Sequence, residues 1–175
     1  MIKILGIKII DRIKEAGKIQ EILSKYSDII TTRLGFHELT TELRNREAYI
    51  ILHLSGSDPE SGRLISELDG LGGIELREMI FDDDKPFINF RTEEGALRIL
   101  GLLIEKSNKA AVASVQKTLT SYGCIILTRL GVNEEFFGKP AGLIVLELAG
   151  DEIEMDLLEN ELAKLPDVHL RKMAF

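Results

Sequence analysis

An internal repeat constrains the fold of this chain more than any other feature. The segment YSDIITTRLG at 26–35 recurs almost unchanged as YGCIILTRLG at 122–131. Further along, IILHLSG at 50–56 aligns with IVLELAG at 144–150, and both halves finish on a Leu-Arg-x-Met-x-Phe pattern. Because the similarity runs through the whole of each half, the chain is predicted to contain two copies of one folding unit.

The hydrophobic pattern predicts six elements in each half, in the order β-α-β-β-α-β. The predicted strands are Ile2–Ile10, Ile29–Phe36, Ala48–Ser55 and Ile74–Phe81, then Leu97–Glu105, Ile125–Val132, Leu143–Ala149 and Val168–Phe175. The predicted helices are Arg12–Lys25, Glu60–Leu71, Asn108–Ser121 and Ile153–Leu165, with Asp58 and Asp151 as N-caps of the second and fourth. This order defines the ferredoxin-like unit. We therefore expect an α+β fold of two ferredoxin-like βαββαβ repeats, each an antiparallel sheet with its helices on one face.

The domain boundaries follow from the same pattern. Repeat 1 is predicted to span residues 1–81, and repeat 2 residues 97–175. The residues between them, 82–96, contain DDDKPFINFRTEEG, whose acidic start and proline do not favour regular structure, so we interpret this segment as a linker. A solvated turn explains its three aspartates better than a cation site does.

Strand alternation predicts which faces are buried. In the second strand, Ile30, Leu34 and Phe36 are expected to face the helices, and Arg33, in step with Ile29, is expected on the open face. The same step places Arg129 on the open face of repeat 2. These open faces remain apolar, through Ile29, Tyr49, Ile51, Met79 and Phe81, and through Leu127, Leu143, Val145, Met173 and Phe175. So much apolar area is rarely left in water, so we expect an intramolecular pseudo-dimer or a homo-oligomer that covers it.

Composition and motifs exclude several function classes. The net charge of −7 argues against direct binding of nucleic acid. A single cysteine, Cys124, rules out an internal disulfide and fits a reducing compartment, and no apolar run could span a membrane, so a cytoplasmic location is expected. The sequence has no nucleophile elbow, Walker loop or GxGxxG motif, so we expect no enzyme and no cofactor. Its three histidines lack metal-ligand spacing, so no metal site is predicted.

The strand ILTRLG with its following hairpin, the strand LIVLEL, and a last strand that ends in basic and apolar residues resemble small ACT-like proteins described as iron-only hydrogenase system regulators. More distantly, each half is similar to ACT domains and to the C-terminal domain of the nickel-responsive repressor. The resemblance implies a regulatory protein of anaerobic metabolism whose oligomers depend on an effector. The chain departs from this family by carrying the unit twice.

Two pairs of arginines are identical in the two halves, Arg33 with Arg129 and Arg77 with Arg171. They could pair with Glu75, Glu147 or backbone carbonyls, or they could supply fork-shaped donors to a carboxylate or phosphate effector. His53 stands where repeat 2 has Glu147, which leaves repeat 1 one carboxylate short and gives an anionic ligand a place to bind. The sequence thus predicts a small-molecule-binding regulator at Arg33, Arg129, Arg77, Arg171 and His53. A non-catalytic structural or protein-interaction module without ligand is the alternative.

Overall fold

The computed structural model describes residues 2–36, 46–55, 57–82, 96–105, 108–136 and 138–175. All but the two ends of the predicted linker 82–96 lie outside the described residues, and so does the loop that follows Phe36. The chain divides into two compact units, Ile2–Glu78 and Met79–Phe175, so the boundary between them falls inside the last strand of repeat 1.

Repeat 1 contains β1 (Ile2–Ile9), α1 (Arg12–Lys25), β2 (Ile30–Phe36), β3 (Ala48–Leu54), α2 (Asp58–Asp69) and β4 (Ile74–Phe81). Repeat 2 contains β5 (Arg98–Glu105), α3 (Lys109–Ser121), β6 (Ile126–Phe136), β7 (Lys139–Leu148), α4 (Glu152–Ala163) and β8 (Val168–Ala174). The sheet orders are β2-β3-β1-β4 and β6-β7-β5-β8. In each sheet the inner strand β3 or β7 runs antiparallel to both of its neighbours. This topology confirms the predicted α+β fold of two ferredoxin-like βαββαβ repeats.

Each sheet packs its helices over one apolar face. In repeat 1, α1 contributes Ile19 and Leu23 to a core that α2 completes with Leu64 and Leu68. In repeat 2 the equivalent core contains Val115, Leu119, Leu158 and Leu162, together with alternate residues of β5 and β7. Every one of these side chains is almost fully buried, and burial of a single large aliphatic side chain is worth about 1.5–3 kcal/mol.

The observed N-caps of α2 and α4 agree only in part with those predicted from the sequence. Asp151 is the N-cap of α4, as predicted, and its carboxylate accepts a hydrogen bond from the Ile153 N–H at 2.7 Å. In α2 the N-cap is Ser57, and the prediction of Asp58 is wrong by one residue. The reason is a capping box, in which the Glu60 carboxylate accepts from both the backbone N–H and the hydroxyl of Ser57.

A β-bulge overturns the predicted face of the second strand in both repeats. In β2 the register shifts between Ile30 and Thr32, so that Arg33 lies opposite Leu52, a residue of the helix-side core. Leu34 is opposite Ile51 and therefore lies on the open face. The alternation analysis had these assignments reversed, because one extra residue in a strand flips every side chain that follows it.

Repeat 2 has the same bulge between Ile126 and Thr128, which turns Arg129 towards the helix side. The predicted open-face position of Ile29 is also wrong, because Ile29 ends a short 3-10 turn that precedes the strand and packs into the helix-side core, as its counterpart Ile125 does in repeat 2.

The predicted apolar character of the open faces is largely matched by burial. Ile51 and Tyr49 are buried in repeat 1, and Leu143, Val145 and Met173 are buried in repeat 2. Leu127 is an exception: it stands at the bulge and is well exposed.

Candidate functional site: the Arg33 groove

A shallow groove lies between α1 and the edge strand β2. It is lined by Gln20, Leu23, Ser24, Ser27, Ile30 and Arg33, and its volume is about 210 Å³. Leu23 and Ile30 supply an apolar floor because both pack on the helix-side core. The helix ends at Lys25, and the 3-10 turn after it carries Ser27 to the rim. We call this site the Arg33 groove.

A glutamine on the helix holds the arginine of the groove. Arg33 Nη1 donates to Gln20 Oε1 at 2.6 Å, and Gln20 Nε2 donates in turn to Ser24 Oγ at 3.1 Å. Both Arg33 and Gln20 are exposed. Among the described residues no carboxylate forms an ion pair with Arg33. The guanidinium therefore has a neutral partner that orients it, and no carboxylate in the described part of the chain cancels its charge.

Repeat 2 builds the same arrangement. Arg129 Nη1 donates to Gln116 Oε1 at 3.2 Å, and the glutamine again precedes its arginine by 13 residues. Leu23, Ser24 and Ile30 of the Arg33 groove have counterparts of similar type in Leu119, Thr120 and Ile126, whereas Gly123 stands in place of Ser27. Sequence reasoning noticed the paired arginines and missed the glutamines. The pattern that would have identified them is a glutamine on the helix that precedes the arginine of the strand by the same number of residues in both repeats.

The other two predicted arginines lie on the opposite side of their sheets. Arg77 is exposed on the open face, where Nη2 is 3.5 Å from Glu75 Oε2 and Nη1 donates to the Leu76 carbonyl. The predicted grouping of arginines on one face is therefore wrong within repeat 1, because the sheet separates Arg33 from Arg77.

Arg171 makes the carbonyl contacts that were predicted as one alternative. Within the Met79–Phe175 unit, its Nε donates to the Ile80 carbonyl at 2.8 Å and its Nη1 to the Leu170 carbonyl at 2.7 Å. The guanidinium carbon also lies 5.5 Å from the centre of the Phe81 ring, in cation–π geometry. Burial lowers the pKa of Arg171 from its usual value. These contacts suit a structural arginine.

His53 is also separated from the groove. It is 5% exposed on the open face of β3, and its Nδ1 is 2.6 Å from Thr31 Oγ1, at the bulge. Thr31 also donates to the His53 carbonyl at 3.2 Å. Burial lowers the pKa of His53, which favours the neutral ring. Its counterpart in repeat 2, Glu147, is buried in the same position.

A second polar cluster, inside repeat 2, was missed by the sequence analysis. Glu159 on α4 accepts from Arg98 Nη1 and from Lys172 Nζ, both at 2.9 Å, and Arg98 also donates to Asp156 at 2.7 Å. The side chains of Arg98, Glu159 and Lys172 are 3%, 0% and 1% exposed. The signal was present, since Arg98 alternates in step with Leu100 and Leu102, which are core residues.

Metal-ligating clusters and membrane-spanning helices are both absent from the described part of the chain. No group of three or more histidine, cysteine, aspartate or glutamate side chains there could hold a metal ion. Likewise, no helix within those residues is long and apolar enough to cross a bilayer.

Comparisons with known proteins give distant structural similarity. No protein-family model matches the sequence, and no curated protein matches it. An uncharacterized protein from Thermotoga maritima is 22% identical over 45% of this chain and 95% of its own, with a TM-score of 0.40. The acetolactate synthase small subunit from Thermotoga maritima is 10% identical over 100% of this chain and 98% of its own, with a TM-score of 0.37. A protein assigned as a glycine cleavage system transcriptional repressor is 10% identical over 99% and 96%, with a TM-score of 0.36.

Proposed function

We propose that the chain is a regulatory module of ACT-like type that binds a small anionic effector in the Arg33 groove and, in repeat 2, beside Arg129. The observation that carries the proposal is the repeated arginine–glutamine pair, in which an exposed guanidinium is oriented by a neutral side chain. A carboxylate or a phosphate could accept its remaining N–H donors.

The electrostatics of the groove limit the ligand. The C-terminus of α1 lies beside it, and helix C-termini carry a partial negative charge that disfavours anions. Arg33 is the one charged residue among the described residues that line the groove, so its guanidinium must outweigh this effect. Because the site is open to solvent, binding is expected to weaken as salt is added. The groove is also smaller than the 300–1,000 Å³ typical of drug-sized ligands, so a small metabolite is expected.

Thermal unfolding against a panel of carboxylates, phosphates and nucleotides tests the proposal. A ligand at about 100 times its Kd stabilises the folded state by about 2.7 kcal/mol, which is a clear shift of the midpoint. Arg33→Gln should lose the response of repeat 1, and Arg129→Gln that of repeat 2. The matched control is Arg63→Gln, which removes an exposed arginine that donates to the Pro59 carbonyl one turn earlier in α2. If no compound raises the wild-type midpoint, or if Arg33→Gln and Arg63→Gln respond alike, the proposal fails.

A structural or protein-interaction module without ligand is the second candidate. It is favoured by the contacts of Arg77 and Arg171, which already have a carboxylate and backbone carbonyls as partners. In this case the Arg33–Gln20 hydrogen bond serves only to hold α1 against the edge strand β2. Arg33→Gln would then lower the free energy of unfolding by about 0.5–1.5 kcal/mol and leave the ligand response unchanged. The link to iron-only hydrogenase or anaerobic metabolism, which the family resemblance implies, stays a prediction for either candidate.

A further inference from the structure

The outer face of α4 is unusual for a surface helix because it exposes large apolar side chains. Ile153 is 70% exposed and Leu157 is 47% exposed, and they lie one turn apart on the same side of the helix. Met155, Leu158 and Leu162 face the core instead. Two adjacent apolar residues on a helix surface mark a contact surface more often than an isolated one does.

Acidic residues surround this apolar pair. Between Glu152 and Ala163, α4 has five acidic residues and no basic one, and all of the acidic residues except Glu159 reach the surface. Glu154 and Glu161 follow one flank of the Ile153–Leu157 pair, and Asp156 follows the other. The face is therefore apolar at its centre and negative at its rim.

Repeat 1 provides an internal comparison. When α2 and α4 are aligned on their N-caps, Ser57 and Asp151, the positions of Ile153 and Leu157 are taken by Pro59 and Arg63. Both of those residues are exposed. The exposed apolar pair is thus specific to α4 and is not required by the ferredoxin-like fold.

The outer face of α1 has the opposite charge. Ile13 is 73% exposed there, Arg12 and Lys14 are exposed on either side of it, and Lys18 is exposed further along the helix. In total α1 has four basic and two acidic residues. One chain therefore presents an apolar residue with a basic rim on α1 and an apolar pair with an acidic rim on α4.

We propose that these faces bind each other between copies of the chain, with α4 of one copy packed against α1 of the next. The Ile153–Leu157 pair would meet Ile13, and Glu154 and Glu161 would meet Arg12 and Lys14. Such a contact uses two different surfaces, so it is heterologous and adds copies in a ring or a filament. The charges set which helix pairs with which, because the like-charged pairings α1–α1 and α4–α4 are repulsive.

Sedimentation velocity of the full chain, over a roughly hundredfold range of concentration and at low and high salt, tests this proposal. The α1-reversed variant is Arg12→Glu with Lys14→Glu, which also suits the N-terminal end of a helix dipole. The α4-reversed variant is Glu154→Lys with Glu161→Lys, the two acidic residues that the proposed contact uses. Each variant should associate about tenfold more weakly than the wild type. An equimolar mixture of the two should recover association, because each new charge then meets its opposite.

The matched control is Asp28→Lys with Asp69→Lys, two exposed positions of repeat 1 outside α1, which changes the net charge by the same four units as the α4-reversed variant. It should associate like the wild type. Ile153→Ser should weaken association without any change of charge, and circular dichroism confirms that each variant is folded. The proposal is overturned if the wild type shows no concentration-dependent assembly, or if assembly changes neither with salt nor in the two charge-reversed variants. It is also overturned if the mixture of the two variants does not associate. Loss in the α4-reversed variant alone would instead indicate a symmetric α4–α4 contact.

Discussion

Replacing Glu159 by glutamine should destabilise repeat 2 more than any other single charge change in the described part of the chain. Glu159 is fully buried and is the carboxylate shared by Arg98 and Lys172. Glutamine keeps the shape and removes the negative charge that Arg98 and Lys172 share, and Asp156, the second carboxylate beside Arg98, is 56% exposed. Removing one partner of a buried ion pair costs about 3–5 kcal/mol, because the other charge stays desolvated.

The double variant Glu159→Leu with Lys172→Met separates the charge effect from packing. It removes one anion and one cation and leaves Arg98 with Asp156, so it should be more stable than Glu159→Gln alone. A coupling energy of about 0.5–3 kcal/mol is expected between the two positions. Urea unfolding followed by circular dichroism measures each free energy of unfolding.

The control is Glu78→Gln in repeat 1. Its carboxylate lies 3.9 Å from Lys3 Nζ and is 36% exposed, so its loss should cost no more than about 1 kcal/mol. The reasoning would be refuted if Glu159→Gln cost as little as Glu78→Gln, or if the double variant were as unstable as the sum of its single changes.

Three further predictions concern local features. Gly101→Ala should cost about 1–3 kcal/mol, because the new Cβ would lie 2.8 Å from Cζ of the buried Phe81 ring, whereas Gly131→Ala, with open space around it, should be near neutral in the same urea assay. The pKa of Glu67 is lowered from 4.5, first by the hydrogen bond from Lys25 and then by the one from Tyr26, so its contribution to stability is complete above 4.5 and is lost as the pH falls through the lowered value. Glu67→Gln should therefore lose less stability than the wild type as the pH is lowered, and an equal loss in both proteins would contradict this. Asp151→Ala should cost about 0.5–2 kcal/mol through loss of the α4 N-cap, measured by thermal unfolding, and an unchanged midpoint would argue that water replaces the cap.

The fold could be predicted because its signal is redundant. Each helix and strand of repeat 1 has a copy in repeat 2, so an ambiguous segment in one half is supported by the other. The repeated pattern therefore identified the order of elements and their approximate ends. Alternation also identified most of the apolar residues of the open faces, such as Ile51 and Val145.

The site was less predictable because a bulge has no clear signature in these strands. The residues at the register shift are Thr31 in β2 and Leu127 in β6. Both are common in strands, so the alternation of apolar and polar residues gives no sign of the bulge. Arg33 and Arg129 were therefore assigned to the wrong face, and their glutamine partners were not sought on the helices. The buried cluster around Glu159 was missed for another reason: a charged residue in an amphipathic helix is normally expected to face solvent.

A titration followed by the side-chain NMR signals of the arginines and glutamines tests the central claim, that the Arg33 groove and the equivalent Arg129–Gln116 pair bind anions. With acetate and then inorganic phosphate as probes, the account predicts saturable shifts of the Arg33 Nε–H and the Gln20 amide, and of the Arg129 and Gln116 pair. Arg77, already paired with Glu75, should shift little at the same concentrations. No saturable shift at Arg33 and Arg129, or equal shifts at Arg63 and Arg77, would contradict it.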